Sequence, residues 1–442
     1  MFFALLPLIW AGDAPSGKNP SDGIFFNARE HQTNYAGPGR EKGSVANVKE
    51  VLIGYFGPSS PSDPRGGDMW NAACLAVEQA NRAGGYHGLP FRLVAGWSEN
   101  PWGTGVTEIT RMAYVDKVWA IIGGIDGPST HLAEQVVAKA RLTLLNPAST
   151  DKTVNLANVP WMFSCLPADH LLAPVLVQEI ASEVREKSFI LVSAVDHDSH
   201  LFTVELTKSF IRYKLSPSYQ FEFKPGQDNY DRLVEEIIHA TPDALVLAAP
   251  AVESAKMISA VRSRGFGGII YGGPCLGRQD FIQRAGDVAE GVVFPLLFMH
   301  GKESAAFEKV FTARFGRRPD YLTAYTYDAI NILVDAIREA GLNRALIRDA
   351  VRSLSPWQGV TGQILWDPLG SNSRSVSLGT IRGSRVQKLS RRIPPAHLAL
   401  VIESPSVSVI SRSTAIFSKT SVPPPIQQTS KRSTLSCLPS PK

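Results

Sequence analysis

Wholly apolar strands alternating with one-faced apolar helices constrain this chain more than any other feature. VKEVLIGYFGP (48–58) is an apolar run that ends at Gly57-Pro58. The stretch 68–83 follows with apolar residues at helical spacing (Met69, Ala73, Ala76, Val77, Ala80) and stops at Gly84-Gly85. Strands are then predicted at 91–97, 118–124 and 142–148, with helices at 105–115 and 129–141. A second series places strands at 188–194, 219–224, 244–250 and 268–274 among helices at 169–186, 201–213, 229–240 and 252–264. Strands without polar alternation are covered on both faces, which means parallel sheets flanked by helices. The fold class is therefore α/β, with two doubly wound parallel-sheet lobes.

Later residues form a different block: a strand at 292–298, helices at 303–315, 322–340 and 343–353, then strands at 361–367 and 375–381. This block is too small for a third lobe and is expected to return to complete the first two. Lobe 1 is assigned 48–163 plus 293–353, and lobe 2 is assigned 164–292 plus 354–390. Several crossings at one waist make a hinge.

Both ends differ from this body. Residues 1–47 read as a leader and extended arm. The apolar run FFALLPLIWA and the small residues after it resemble a secretory signal peptide, though no Lys or Arg precedes the run. An exported, periplasmic location is the expectation. Residues 391–442 hold 23 Ser, Thr or Pro in 52 and seven basic residues against Glu403. Such a segment is expected to be disordered. The chain's net charge of +5 thus resides in the tail, and residues 1–390 are near neutral. A near-neutral body argues against a broad nucleic-acid surface, and no apolar run reaches membrane-spanning length. Cys74, Cys165, Cys275 and Cys437 form neither a disulfide framework nor a zinc site, although export would permit a Cys74–Cys165 bridge.

Ligands of open α/β sheets bind beyond the carboxyl ends of the strands. Residues there are small, hydroxylated or aromatic. The turn GGIDGPST (123–130) has neither phosphate-loop pattern. Two readings of it stand: helix-start amides with Ser129 and Thr130 binding a carboxylate, or a tight turn with an N-cap. DHDSH (196–200) offers two His and two Asp, but no HExxH or CxxC accompanies it, so a polar ligand-facing loop is preferred to a metal site. No GxSxG elbow is present, and no nucleophile, base or cofactor motif lines up. Trp102, in a Pro- and Gly-flanked loop after a strand, is a candidate stacking residue.

Taken together and in order, several stretches resemble the type I periplasmic binding proteins of the leucine/isoleucine/valine class, the solute-binding subunits of ABC importers. They include VLIGYFGP, AACLAVEQANRAGGYHGLPFRLV, IIGGIDGPSTHLAEQVVAKARLTLLNPAST, PWMFSCLPAD, FIQRAGDVAEGVVF, FGRRPDYLTAYTYDAINILVDAI and GVTGQILWDPLG. The resemblance implies a non-enzymatic receptor that captures a small polar solute (amino acid, amide or carboxylate) by hinge closure and meets ABC permease subunits. No cofactor, metal, nucleic acid or membrane-spanning segment is implied. A ligand-sensing receptor of the same fold is the alternative. By position the ligand carboxylate falls to Gly127 (where a Ser is common), Ser129, Ala148, Ser149 and Thr150, and the covering aromatic to His200 or Phe202. The turn Gly273-Pro274-Cys275 lacks the usual acid for a ligand ammonium, which leaves Asp126 or Asp198 as substitutes.

Overall fold

The computed structural model describes residues 35–41, 47–184 and 187–390. The signal-like run, the basic tail with Cys437 and most of the leader lie outside the described residues. Among the described residues no helix is long and apolar enough to cross a membrane.

The first sheet contains β1 (Val51–Phe56), β2 (Phe91–Gly96), β3 (Ala120–Gly123), β4 (Thr143–Asn146) and β5 (Met162–Ser164). Their order is β2-β1-β3-β4-β5 and every pairing is parallel. Connecting helices are α1 (Gly67–Arg82), α2 (Val106–Thr110, flanked by π-helical turns), α3 (Gly127–Ala140) and α4 (Thr153–Leu156). All residues of β3, β4 and β5 are buried, as strands covered on both faces must be. Each fully buried Leu or Ile, such as Ile121 and Leu144, contributes about 1.5–3 kcal/mol over leaving it in water.

Helix α5 (Asp169–Glu183) leads into the second series: β6 (Phe189–Ala194), α6 (His197–Tyr213), β7 (Tyr219–Phe223), α7 (Asp231–His239), β8 (Ala244–Ala248), α8 (Ala251–Ser263), β9 (Ile269–Gly272), α9 (Gln279–Ala285) and β10 (Val293–Leu296). Next come α10 (Ala305–Phe315), α11 (Tyr321–Ala340), α12 (Arg344–Ser353), the hairpin β11 (Trp357–Gly359) and β12 (Gly362–Ile364), and the last pair β13 (Ser377–Arg382) and β14 (Arg385–Lys388). The second sheet has the order β14-β13-β10-β9-β8-β6-β7. It is parallel from β7 to β10 and antiparallel at β13 and β14.

The expected lobe bounds differ from the structure at Ser164, which pairs with Asn146 in the first sheet, and at β10. The expected lobe 1 includes residues 293–296, but β10 pairs with β9 and β13 in the second sheet. An apolar strand carries no local sign of which sheet it joins; the short turn after α9 and the partner strand β13 decide it. The helices after β10 do return to the first sheet. Helix α11 packs along α1. Arg314, on α10, reaches the Glu78 carboxylate with 2.8 Å between Nη2 and Oε1, and Arg344 and Arg348, on α12, donate to the carbonyls of Ala113 and Pro160 at 2.8 and 2.7 Å.

The described chain passes between the sheets three times, after β5, after β10 and before β13. These passages lie side by side. The Ser164 amide donates to the Gly370 carbonyl (2.9 Å), the Asn372 amide to the Ser164 carbonyl (3.1 Å) and the Asn372 side chain to the Cys165 carbonyl (2.7 Å). Arg374 ties the carbonyls of Thr361 and Leu297 together. Cys74, Cys165 and Cys275 are not disulfide-bonded, so the bridge that export would permit is not formed between Cys74 and Cys165.

Candidate functional site

The strand ends of both sheets face a cavity of about 390 Å³. From the first-sheet side it is lined by Arg65, Ile125, Asp126, Pro128, Ala148, Ser149 and Thr150. From the other side come Asp169 at the start of α5, Asp196 to Ser199 at the start of α6, Phe202, Ala248 to Ala251 at and just after the end of β8, Gly273 to Cys275 after β9, and Arg278. Tyr321 and Leu322, at the start of α11, complete the lining.

Six candidates from the sequence therefore meet in one place: Asp126, Ala148, Ser149, Thr150, Asp198 and Phe202. Four others stand off it. Trp102 sits in the π-helical turn before α2 with 57% of its surface exposed. His200 is exposed on α6. Gly127 and Ser129 belong to the first turn of α3 but do not line the cavity.

The GGIDGPST turn resolves in favour of a capped helix start. Asp126 is the N-cap of α3; its carboxylate accepts from the Ser129 amide at 2.9 Å, and the Ser129 hydroxyl reciprocates. The amides of Ile125 and Asp126 donate to Ser129 Oγ (3.0 and 3.3 Å) and that of Thr130 to the Asp126 carbonyl (3.1 Å). The Gly127 amide donates to both oxygens of Asp198, at 3.0 and 3.2 Å. Pro128 has no N–H to offer. Every backbone donor of this helix start is thus already engaged, and the turn is not an open anion cradle. Gly123, at φ +142°, has to be glycine here, since a Cβ would lie 2.2 Å from the Phe56 carbonyl oxygen.

After β4 the pattern is similar. Asn146 accepts from the Ala148 and Ser149 amides at 3.0 and 2.9 Å, so those two amides are engaged within the loop. The DHDSH stretch is helix rather than loop: Asp196 is the N-cap of α6 and accepts from the Ser199 amide at 3.1 Å. Asx residues ahead of a helical period favour this start, and they read equally well as a loop in the sequence alone.

Electrostatically the cavity is acidic. Asp126, Asp169, Asp196 and Asp198 line it, against Arg65 and Arg278. Arg278 is committed to Asp320 at 2.6 Å, and Arg65 pairs with Glu99. Burial raises the Asp169 carboxyl well above the usual range. The Thr150 hydroxyl opposes the rise, and Asp198, Asp151 and Glu205 reinforce it. Asp169 Oδ1 and Asp196 Oδ2 are buried and without hydrogen-bond partners among the described residues. Asp198 is raised to about 7, first by burial and then by the charge of Asp126, with the Gly127 amide pulling the other way.

Beside the cavity, Asp151 joins two imidazoles. Its Oδ2 lies 3.0 Å from His131 Nε2 and 2.9 Å from His197 Nε2. Hydrogen bonds from both rings and from Thr153 hold Asp151 well below the carboxylate range in spite of its burial. His131 is raised to about 9 by hydrogen bonds to Asp151 and Glu134. Sequence position after a strand points to Asp196, His197 and the turn 273–275. It does not point to Asp169 or Tyr321, which start helices that do not directly follow a cavity-facing strand end, nor to Arg278, which lies past the turn 273–275 at the start of α9.

Residues 50–385 match the family described as periplasmic binding protein. An amino acid binding protein of Pseudomonas aeruginosa is 24% identical over 339 residues, which cover 74% of this chain and 88% of the relative. A leucine-, isoleucine-, valine-, threonine- and alanine-binding protein of the same organism is 20% identical over 328 residues, 72% of this chain and 86% of the relative. Among solved structures, the substrate-binding protein LivJ of Streptococcus pneumoniae with isoleucine aligns at a TM-score of 0.69. It is 22% identical and covers 77% of this chain and 98% of that one. A Rhodopseudomonas palustris solute-binding protein with 3,4-dihydroxybenzoic acid aligns at 0.68 with 15% identity, covering 76% and 94%. At such identities these structures speak for the fold.

Proposed function

Because this chain belongs to the periplasmic binding protein family, a family of solute-binding proteins, we propose that it is the exported receptor of an ABC importer and that its solute is a small amino acid. The acidic cavity carries this reading. Four carboxyl groups line it, two of them with buried unpartnered oxygens, and both guanidinium groups are already paired. A solute that brings an ammonium group satisfies those oxygens, whereas one that brings only negative charge meets repulsion and desolvation together. Asp169 and Asp196 supply the acid that the turn 273–275 lacks. Hydroxyls of Ser149 and Thr150 offer donors for the solute's carboxylate, and Phe202 and Tyr321 offer apolar surface.

Solute held between elements of both sheets favours their approach only through contacts made to both, which is the condition for ligand-driven closure. The three adjacent passages at the waist supply the hinge. The closed form is then the one a permease distinguishes from the open form. Nothing in the cavity performs chemistry on the solute in this reading. Isothermal titration of amino acids against their N-acetyl and des-amino analogues tests it. An amino acid is expected to bind and its analogues lacking the ammonium to fail; equal binding of a des-amino acid would refute the reading.

A further inference from the structure

We propose that His131, Asp151 and His197 form a binding site for a divalent transition metal of the zinc class, shared between elements of the two sheets. The three residues are scattered in sequence and are assembled only by the fold. His131 is on α3, Asp151 follows β4, and His197 is the first residue of α6. One ligand atom from each falls within a 4.8 Å span. Two of the three separations, 3.0 Å and 2.9 Å to Asp151 Oδ2, are close to the ~3.3 Å between donors around a tetrahedral zinc ion. Two imidazoles and a carboxylate are a donor set that zinc accepts readily and that calcium and magnesium, which prefer all-oxygen shells, do not.

The surroundings suit a metal rather than a chance encounter. Behind the His131 ring, Glu134 Oε2 stands 3.5 Å from Nδ1, on the side away from Asp151. A carboxylate at the far nitrogen of a ligating imidazole fixes its tautomer and orientation. Glu134 is itself only 3% exposed, and its second oxygen has no hydrogen-bond partner among the described residues. Asp151, 2% exposed, is oriented through its other oxygen by the Thr153 amide and hydroxyl at 2.7 and 2.6 Å. This leaves Oδ2 for the two rings. The His197 side chain is 41% exposed, which gives an ion a route in and leaves water as the fourth ligand.

Two donors belong to elements of the first sheet and one to α6 of the second. A bound ion therefore ties α6 to the first-sheet side at the rim of the cavity, and by linkage it favours whichever arrangement brings the three donors together. The site does not depend on which solute the cavity takes.

The test is a titration of the chelator-treated full chain with zinc chloride, followed by calorimetry and by native mass spectrometry. One tightly bound ion per chain is expected, with an X-ray absorption signature of two imidazoles and light oxygen or nitrogen donors. His197→Ala, at an exposed position, is expected to weaken that binding about 100-fold or more. Glu134→Gln is expected to weaken it roughly 10- to 100-fold, the usual effect of removing a carboxylate behind a ligating ring. His131→Gln serves as the second ligand variant, with its melting curve recorded alongside. Absence of stoichiometric zinc binding at micromolar metal would overturn the proposal. Binding that survives unchanged in both His197→Ala and His131→Gln would overturn it equally, since the ion would then sit elsewhere.

Discussion

The Asp198 carboxylate, on α6, accepts the backbone N–H of Gly127, on α3, at 3.0 and 3.2 Å. An acid from the second-sheet side thereby occupies the helix start that the family resemblance assigns to a solute carboxylate. Glycine is what allows it. A Cβ at position 127 would lie 2.4 Å from Asp198 Oδ1 and 2.7 Å from the His197 ring. Gly127→Ala is expected to force α3 and α6 apart, to forfeit a hydrogen bond to a charged group, about 1.5–3 kcal/mol, and to weaken solute binding roughly tenfold or more. Calorimetry reads the affinity, and small-angle scattering reads a larger radius of gyration.

Asp169 is the buried acid placed to meet the solute's ammonium. Asp169→Asn is expected to cost at least about 1.4 kcal/mol of binding, a factor of ten, for an amino acid. The empty protein should be as stable as before or more so, because an unpaired buried carboxyl no longer has to be accommodated. Paired calorimetric and thermal unfolding measurements check both halves.

Arg278 and Asp320 form an ion pair at 2.6 Å, with side chains 16% and 3% exposed, at the edge of the cavity. Removing one partner of such a buried pair typically costs about 3–5 kcal/mol. Arg278→Met is expected to destabilise the chain by that order in urea unfolding. The double variant with Asp320→Asn should recover part of the loss.

Asp328 gives a pH dependence whose sign can be worked out. Its carboxyl, 1% exposed, accepts from the Val360 amide at 3.0 Å and from the Thr361 amide and hydroxyl at 2.9 and 2.6 Å, holding the β11–β12 hairpin to α11. Burial nonetheless raises it to about 6, with those hydrogen bonds acting in the opposite direction. The unfolded group releases its proton near 4, so over the window from ~4 to ~6 the folded state holds a proton that the unfolded chain has lost. Stability from this group falls as pH rises through that window and is level above it. Asp328→Asn is destabilising, since its amide nitrogen faces the donors of Thr361 or Val360. Its penalty should shrink by roughly 2–3 kcal/mol between pH 4 and pH 6.5, because a tenfold change in proton affinity is worth about 1.4 kcal/mol. Urea midpoints of both proteins across that range provide the comparison.

The architecture is legible wherever the apolar pattern is long. FILVSA of β6 and ALVLA of β8 are buried at every residue, and runs this short, bounded by turns, favour buried strands over helices. Three-residue β5 and the four-residue helix α4 are too short to carry a period. Strand β10 is legible as a strand but not as a member of the second sheet, because sheet membership is settled by partners rather than by local pattern. Within the site, reading the residues after each strand finds Asp126, Ser149, Thr150 and Asp198. It misses Asp169 and Tyr321, which start helices after crossings, and Arg278, which caps α9 beyond the turn that follows β9. It also passes over the His131–Asp151–His197 cluster: DHDSH has no metal spacing of its own, and its partners lie 46 and 66 positions back in the sequence.

The sharpest test of an ammonium-bearing solute is purification of the full chain without added solute, followed by native mass spectrometry before and after denaturation. A small molecule bearing a primary amine and a carboxylate, released with its mass unchanged, is the expected result. A co-purifying acid without an ammonium, or a solute recovered only as its reaction product, would contradict it.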